Sequence, residues 1–150
     1  MNMGGFAKLP GIFRTNWQKD GNRLGGLRHE VFVVEQNVPE ELEWDEFDQG
    51  AIHFACEDEN GRIIGTARLI VTGDKGTIGR LCVAGPHRHQ KMATRIMDEI
   101  LSYCRELKVR TCELHAQLYL QAFYEHCGFT ALGNAYLEAG IEHITMRRVL

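Results

Sequence analysis

Hydrophobic and polar residues follow two rhythms along this chain, and both occur between residues 77 and 107. Ile78, Leu81 and Val83 belong to a β-rich run that stops at Ala84-Gly85-Pro86. Pro86 has no N–H to give to a ladder, so a strand over 77–83 ends there. After a short loop, Met92, Ala93, Ile96, Met97, Ile100, Leu101 and Cys104 recur at three- and four-residue spacing. Asp98, Glu99, Ser102, Arg105 and Glu106 take the opposite side. That is the pattern of a long amphipathic helix. The loop between strand and helix is basic, with His87, Arg88, His89 and Lys91. The first N–H groups of a helix have no partner within it, and that end carries roughly half a positive charge. Cations added there are unfavourable for the bare helix, and a bound anion such as phosphate compensates. A solvated basic cap is the plainer reading.

The same periodicities organise the rest. A strand is predicted over 12–17. Asp20 to Asn22 offers a cap for a helix with Leu24, Leu27, Val31 and Val34 inward, in which Gly25-Gly26 costs roughly 1 kcal/mol per glycine. An acidic tract follows: Glu40, Glu41, Glu43, Asp45, Glu46 and Asp48. Such a run is ordinarily a solvated loop. The alternative is the border of a site for a cationic amine, and Trp44 and Phe47 favour a partly packed segment. Residues 53–58 form a strand, Asn60-Gly61 a hairpin turn, and 63–71 the returning strand. A turn over 72–76 leads into 77–83, which completes an antiparallel meander. After the long helix, a strand over 109–115 runs parallel to 77–83 through a right-handed crossover. Residues 119–126 form a short helix with Leu120, Phe123 and Tyr124 inward, ended by Gly128. Strands over 129–136 and 141–149 meet around Ala139-Gly140. Residues 1–10 are expected to be a loose N-terminal segment.

These elements make a single α/β domain over residues 1–150, with a mixed, mostly antiparallel sheet of about seven strands and a βαβ unit. Charged residues at 25% and apolar residues at 44% are globular values. A net charge of −3 leaves no basic stripe beyond the loop at 87–91, which argues against nucleic acid as a partner. No apolar run approaches the ~20 residues of a membrane span, and the first ten residues have no signal-peptide pattern. The five cysteines are odd in number, lack Cys-x-x-Cys spacing and mostly lie in apolar segments. They are expected to be buried free thiols of a cytoplasmic protein. No ligand spacing points to a metal.

Three motifs resemble one family. Arg88-His89-Gln90-Lys91-Met92-Ala93 is similar to the phosphate-loop signature of the GNAT superfamily of acyl-CoA-dependent N-acyltransferases: Arg or Gln, two residues, Gly, one residue, Gly or Ala. Lys91 stands where the first glycine is usual. Phe123-Tyr124-Glu125-His126-Cys127-Gly128-Phe129 matches the family's aromatic-Tyr-x-x-x-Gly-Phe segment. Arg28, Val31-Phe32, Glu35-Gln36, Asp45 and Asp48 resemble the ElaA-like branch.

The resemblance implies about four helices flanking a sheet that parts between strands 77–83 and 109–115, where acyl-CoA enters. Acetyl-CoA is the expected co-substrate, held by Arg88, His89, Gln90, Lys91, Met92, Ala93 and Thr94, with backbone groups of Leu81, Cys82 and Val83 and with Gln117. An amine is the expected acceptor. Amide formation from a thioester needs a neutral amine, stabilisation of the carbonyl oxygen and a proton for the departing thiolate. By resemblance Tyr124 is that donor. Three residues remain open as the base or as acceptor contacts: Glu35, His115 and His143. Gln121 also matches the branch. Two rival readings are a cysteine acyltransferase through Cys127 and a non-catalytic acyl-CoA-binding module. A homodimer through the last strands is plausible.

Overall fold

Seven strands form one sheet among the residues described by this computed structural model, which are 11–150. The expectation for residues 1–10 falls outside them. The strands are β1 (Ile12–Thr15), β2 (Ile52–Glu57), β3 (Ile63–Thr72), β4 (Lys75–Val83), β5 (Thr111–Gln117), β6 (Thr130–Glu138) and β7 (Ile141–Val149). Their order is β1-β2-β3-β4-β5-β7-β6. All neighbours are antiparallel except β4 and β5, the two strands of the expected βαβ unit. The helices are α1 (Trp17–Arg28), α2 (Glu40–Glu43), α3 (Met92–Glu106) and α4 (Gln121–His126).

The core follows from the strand patterns. Residues 63–69 of β3 are all buried, which requires cover on both faces. Helices α1 and α3 pack against this strand. On α3 the predicted stripe is buried: Met92, Ile96, Met97, Ile100, Leu101 and Cys104. In β5 only Cys112, Leu114 and Ala116 are buried. Glu113, His115 and Gln117 face the other side, which remains open.

The first helix departs from expectation in two ways. It starts at Trp17, because Asn16 caps it by accepting from the Lys19 N–H at 2.8 Å. Asp20 is buried instead, accepting from Thr15 Oγ1 at 2.5 Å. Past Arg28 the helix widens into a π-helical stretch, His29–Glu35, and the Gln36 N–H reaches back five residues to the Val31 carbonyl. Leu24, Leu27 and Val31 point inward as predicted, but the wider turn rotates Val34 out to 63% exposure. Gly25 also has a packing reason. A Cβ there would lie 2.8 Å from the Trp44 ring.

The acidic tract is divided: Glu40, Glu41 and Glu46 are exposed, as in a solvated loop, whereas Glu43 and Asp48 are buried. Glu43 and Asp48 are 1% and 2% exposed. Arg28, itself buried, donates from Nε to Glu43 Oε1 at 2.7 Å and from its two terminal nitrogens to Asp48 at 2.7 and 3.1 Å. Arg68 donates to Asp45 and Asp48, and Arg80 to Asp45 and the Glu43 carbonyl. Three guanidiniums from α1, β3 and β4 thus neutralise three carboxylates. Burial alone would raise the Asp48 pKa, but hydrogen bonds from Arg28 and Arg68 hold it below the usual carboxylate value.

Candidate active site

Strands β4 and β5 pair only at their starts. Residues 75–78 lie beside 111–114 in parallel register, and no pairing continues beyond Ile78 and Leu114. The cause lies on β4. Thr66 faces Cys82 and Arg68 faces Gly79, so Arg80 and Leu81 together oppose Ala67. This is a β-bulge, with Arg80 in the left-handed region at φ 54. A bulge bends its strand and increases the local twist, which accounts for the parting of the two strands. The edge of β4 from Gly79 to Val83, with Leu81, Cys82 and Val83, therefore faces a gap without a strand partner. The resemblance implies this opening.

The phosphate-like loop sits at the end of that edge. After one turn at Gly85–His87, His89 and Lys91 both take left-handed backbone, at φ 66 and 58. Lys91 is the cap residue of α3, and no side chain caps this helix end. A left-handed position favours glycine, because an L side chain there costs roughly 1 kcal/mol or more. The lysine thus keeps the backbone shape that a motif glycine would supply. Met92 is buried, Ala93 and Thr94 are half-buried, and His89, Gln90 and Lys91 are exposed.

Arg88 is already engaged. Its Nε donates to the Val83 carbonyl at 2.9 Å, and its terminal nitrogens donate to both carboxylate oxygens of Glu35 at 2.9 and 3.0 Å. The next residue, Gln36, accepts from Gln117 Nε2 at 2.9 Å. Glu35 and Gln36 therefore join the end of the π-helical stretch to both lips of the gap. One lip is the loop after β4, and the other is the end of β5.

Tyr124 lies on the core side. Residue 124 of α4 is 8% exposed, with its ring against Phe123 at 5.0 Å and Phe129 at 6.4 Å. Gly128, at φ 87, ends the helix as predicted, and the Phe129 N–H closes on the Tyr124 carbonyl. Burial pushes the phenol well above the ordinary tyrosine value, with smaller contributions from Cys127, Tyr119 and Cys82.

The open side of β5-β7-β6 carries the two candidate histidines. Gln117 is opposite His143, His115 is opposite Thr145, and Tyr136 is opposite His143, so all share one face. Glu138 joins the histidines. His115 Nδ1 is 3.1 Å from Glu138 Oε1, and His143 Nε2 is 3.6 Å from Oε2. His143 is buried and uses Nδ1 to donate to the Ile141 carbonyl at 2.7 Å. Tyr136 stacks on His143 and meets His115 edge-on. A carboxylate only accepts, so His115 must donate from Nδ1, and in the neutral ring that tautomer keeps the lone pair on Nε2. Glu138 was not visible as a site residue in the sequence. It follows His115 by 23 positions and reaches it only through the β6-β7 hairpin.

Neither Cys82 nor Cys127 offers an activated thiolate. Burial raises Cys82 to about 12 and also raises Cys127, the thiol of the rival reading. Among the described residues no group of three ligating side chains could hold a metal ion, and no helix is long and apolar enough to cross a membrane.

A seven-stranded mixed sheet that unzips between its two parallel strands, beside a helix end with no side-chain cap, is the acyltransferase fold expected from the motifs. The acetyltransferase (GNAT) domain family matches residues 15–150, and the chain belongs to that family. Among particular relatives, a UPF0039 protein of Mycobacterium bovis is 35% identical over 145 residues, covering 90% of this chain and 91% of its own. An acyl-CoA N-acyltransferase from Pseudomonas aeruginosa has a similar structure, with TM-score 0.84 and 31% identity over 93% of this chain and 99% of the other. Escherichia coli ElaA is similar at TM-score 0.83 and 29% identity, with the same coverage.

Proposed function

We propose that this protein transfers an acetyl group from acetyl-CoA to a primary amine by direct attack. The observation that carries the reading is the gap between β4 and β5, with the free edge of β4 on one side and the first amides of α3 at its end. Those amides, with Arg88, His89, Gln90 and Lys91, suit a diphosphate. Met92, Ala93 and Thr94 supply the helix end itself. The unpaired backbone of Leu81, Cys82 and Val83 suits the amide groups of a pantetheine arm, and an N–H there suits a developing oxyanion.

Tyr124 protonates the departing thiolate. Its raised pKa keeps the phenol protonated at neutral pH, as a donor requires, and its ring is fixed by Phe123 and Phe129. His115 removes a proton from the ammonium or from the attacking nitrogen. Its Nε2 is free, whereas both oxygens of Glu35 are engaged by Arg88 and both nitrogens of His143 face partners. Acid and base approach the thioester from opposite faces of the opened sheet. His143, with Tyr136 and Gln117, completes the shelf on which the acceptor lies.

The test is turnover of acetyl-CoA against a panel of amines and peptides, read as free thiol. Tyr124→Phe should lower kcat by about 10²-fold or more while leaving the Kd for CoA unchanged. Unaltered turnover in that variant removes Tyr124 as the acid. CoA binding without turnover of any amine favours a non-catalytic acyl-CoA-binding module.

A further inference from the structure

Among the described residues Glu35 is the one carboxylate in contact with the arginine of the phosphate-like loop, and the contact is two-pronged. Arg88 gives both terminal nitrogens to it at 2.9 and 3.0 Å and keeps only Nε for the Val83 carbonyl. Both side chains are more than a third exposed, so an incoming anion can reach them. A carboxylate and a phosphate present the same paired oxygens to a guanidinium fork, and only one can occupy it. The geometry points to Glu35 as a stand-in for the cofactor's diphosphate: it holds Arg88 aligned in the free protein and must yield the fork when acyl-CoA binds. This rests on the acyl-CoA reading above and adds a displacement step to it.

The step has a structural consequence. Glu35 closes the π-helical stretch, and Gln36 spans to Gln117 at the end of β5. Residues 35–36 thus form a strap across the mouth of the gap, fastened on the β4 side by Arg88 and on the β5 side by Gln117. The π-helical turn makes a soft base for it, because its wide hydrogen-bond geometry is poorer than that of an α-helix. Only Val31 of this stretch is buried, so little packing opposes its movement. Once the diphosphate takes Arg88, one fastening is gone, and the strap loosens beside the shelf that carries His115 and Gln117. Cofactor binding therefore changes the segment that borders the acceptor side.

Calorimetric titration with CoA in a double-mutant cycle tests this. Glu35→Gln should bind CoA about two- to fivefold more tightly than wild type, the range an exposed ion pair supports. Arg88→Ala should bind more weakly, and adding Glu35→Gln to it should change nothing further. The amides of residues 33–38 should exchange hydrogen faster in Glu35→Gln without ligand, and faster in wild type once CoA is saturating. Equal or weaker binding by Glu35→Gln overturns the stand-in role, as does a gain that persists in the Arg88→Ala background. Unchanged or slower exchange at 33–38 in both cases overturns the strap. If wild type binds no CoA at all, the acyl-transfer reading itself fails, a result none of the variant comparisons can mimic.

Discussion

Two single residues carry much of the proposed chemistry, and their backbone and burial matter as much as their side chains. Tyr124 suits the proposed acid role because burial keeps its proton on, and the fold supplies the burial through Phe129 and the Gly128 stop. Lys91 carries the opposite trade. Its φ of 58 places an L residue where glycine is unstrained, while its ammonium lies beside a proposed anion site. Lys91→Gly should therefore raise stability by about 1 kcal/mol in urea unfolding and weaken CoA binding several-fold through loss of the charge. If stability falls instead, the left-handed strain assigned to this lysine is wrong. The aromatic-Tyr segment and the loop motif were both legible as family motifs because each is a contiguous pattern in the sequence. Glu138 was not legible. Nothing near it in the chain marks it, and its meaning arises only when β6 folds beside β7 and β5.

At the scale of elements, the acidic tract shows why periodicity and charge runs can mislead. Its carboxylates are clustered in sequence, but the arginines that neutralise them sit at 28, 68 and 80, on three separate elements. No window of sequence contains both halves. The same holds for Val34, which a 3.6-residue repeat places inward and a π-helical turn rotates outward. Strands and helices elsewhere were recovered to within two or three residues, since their apolar faces are continuous and their breaks are marked by Pro86, Asn60-Gly61 and Gly128. The network has a measurable consequence. The folded pKa of Asp48 is depressed, so its contribution to stability is present above the unfolded value of roughly 3.9 and is lost as pH falls through the folded one. Asp48→Asn leaves Arg28 charged and buried with one carboxylate fewer, and should cost about 3–5 kcal/mol at neutral pH. The variant should also lose part of the acid-induced destabilisation that wild type shows below pH 4. Equilibrium unfolding across pH 3–7 decides it; parallel profiles for the two proteins would falsify the depressed Asp48 pKa.

For the whole molecule, the decisive feature is how little sheet joins its two halves. Strands β1 to β4 form one antiparallel unit, and β5, β7 and β6 form another. Between them run only the paired residues 75–78 and 111–114. The rest of the junction is made by α3, which crosses from β4 to β5, and by side chains such as the Cys104–Cys112 contact at 3.6 Å. A ligand that lies along the unpaired edge of β4 and touches α4 and Gln117 would bridge both halves, so its binding energy adds directly to the cohesion of the sheet. Binding only to the folded state stabilises by RT ln(1 + [L]/Kd), about 2.7 kcal/mol at one hundred times Kd. For a domain of this size that corresponds to a rise in Tm of about 5–10 °C. Thermal unfolding with CoA should show this rise, growing with the logarithm of concentration, and Arg88→Ala should shift the curve to higher CoA without changing its slope at high concentration. A ligand seated away from the gap would leave the response to Arg88→Ala flat, which separates binding in the opened sheet from binding anywhere else on the surface.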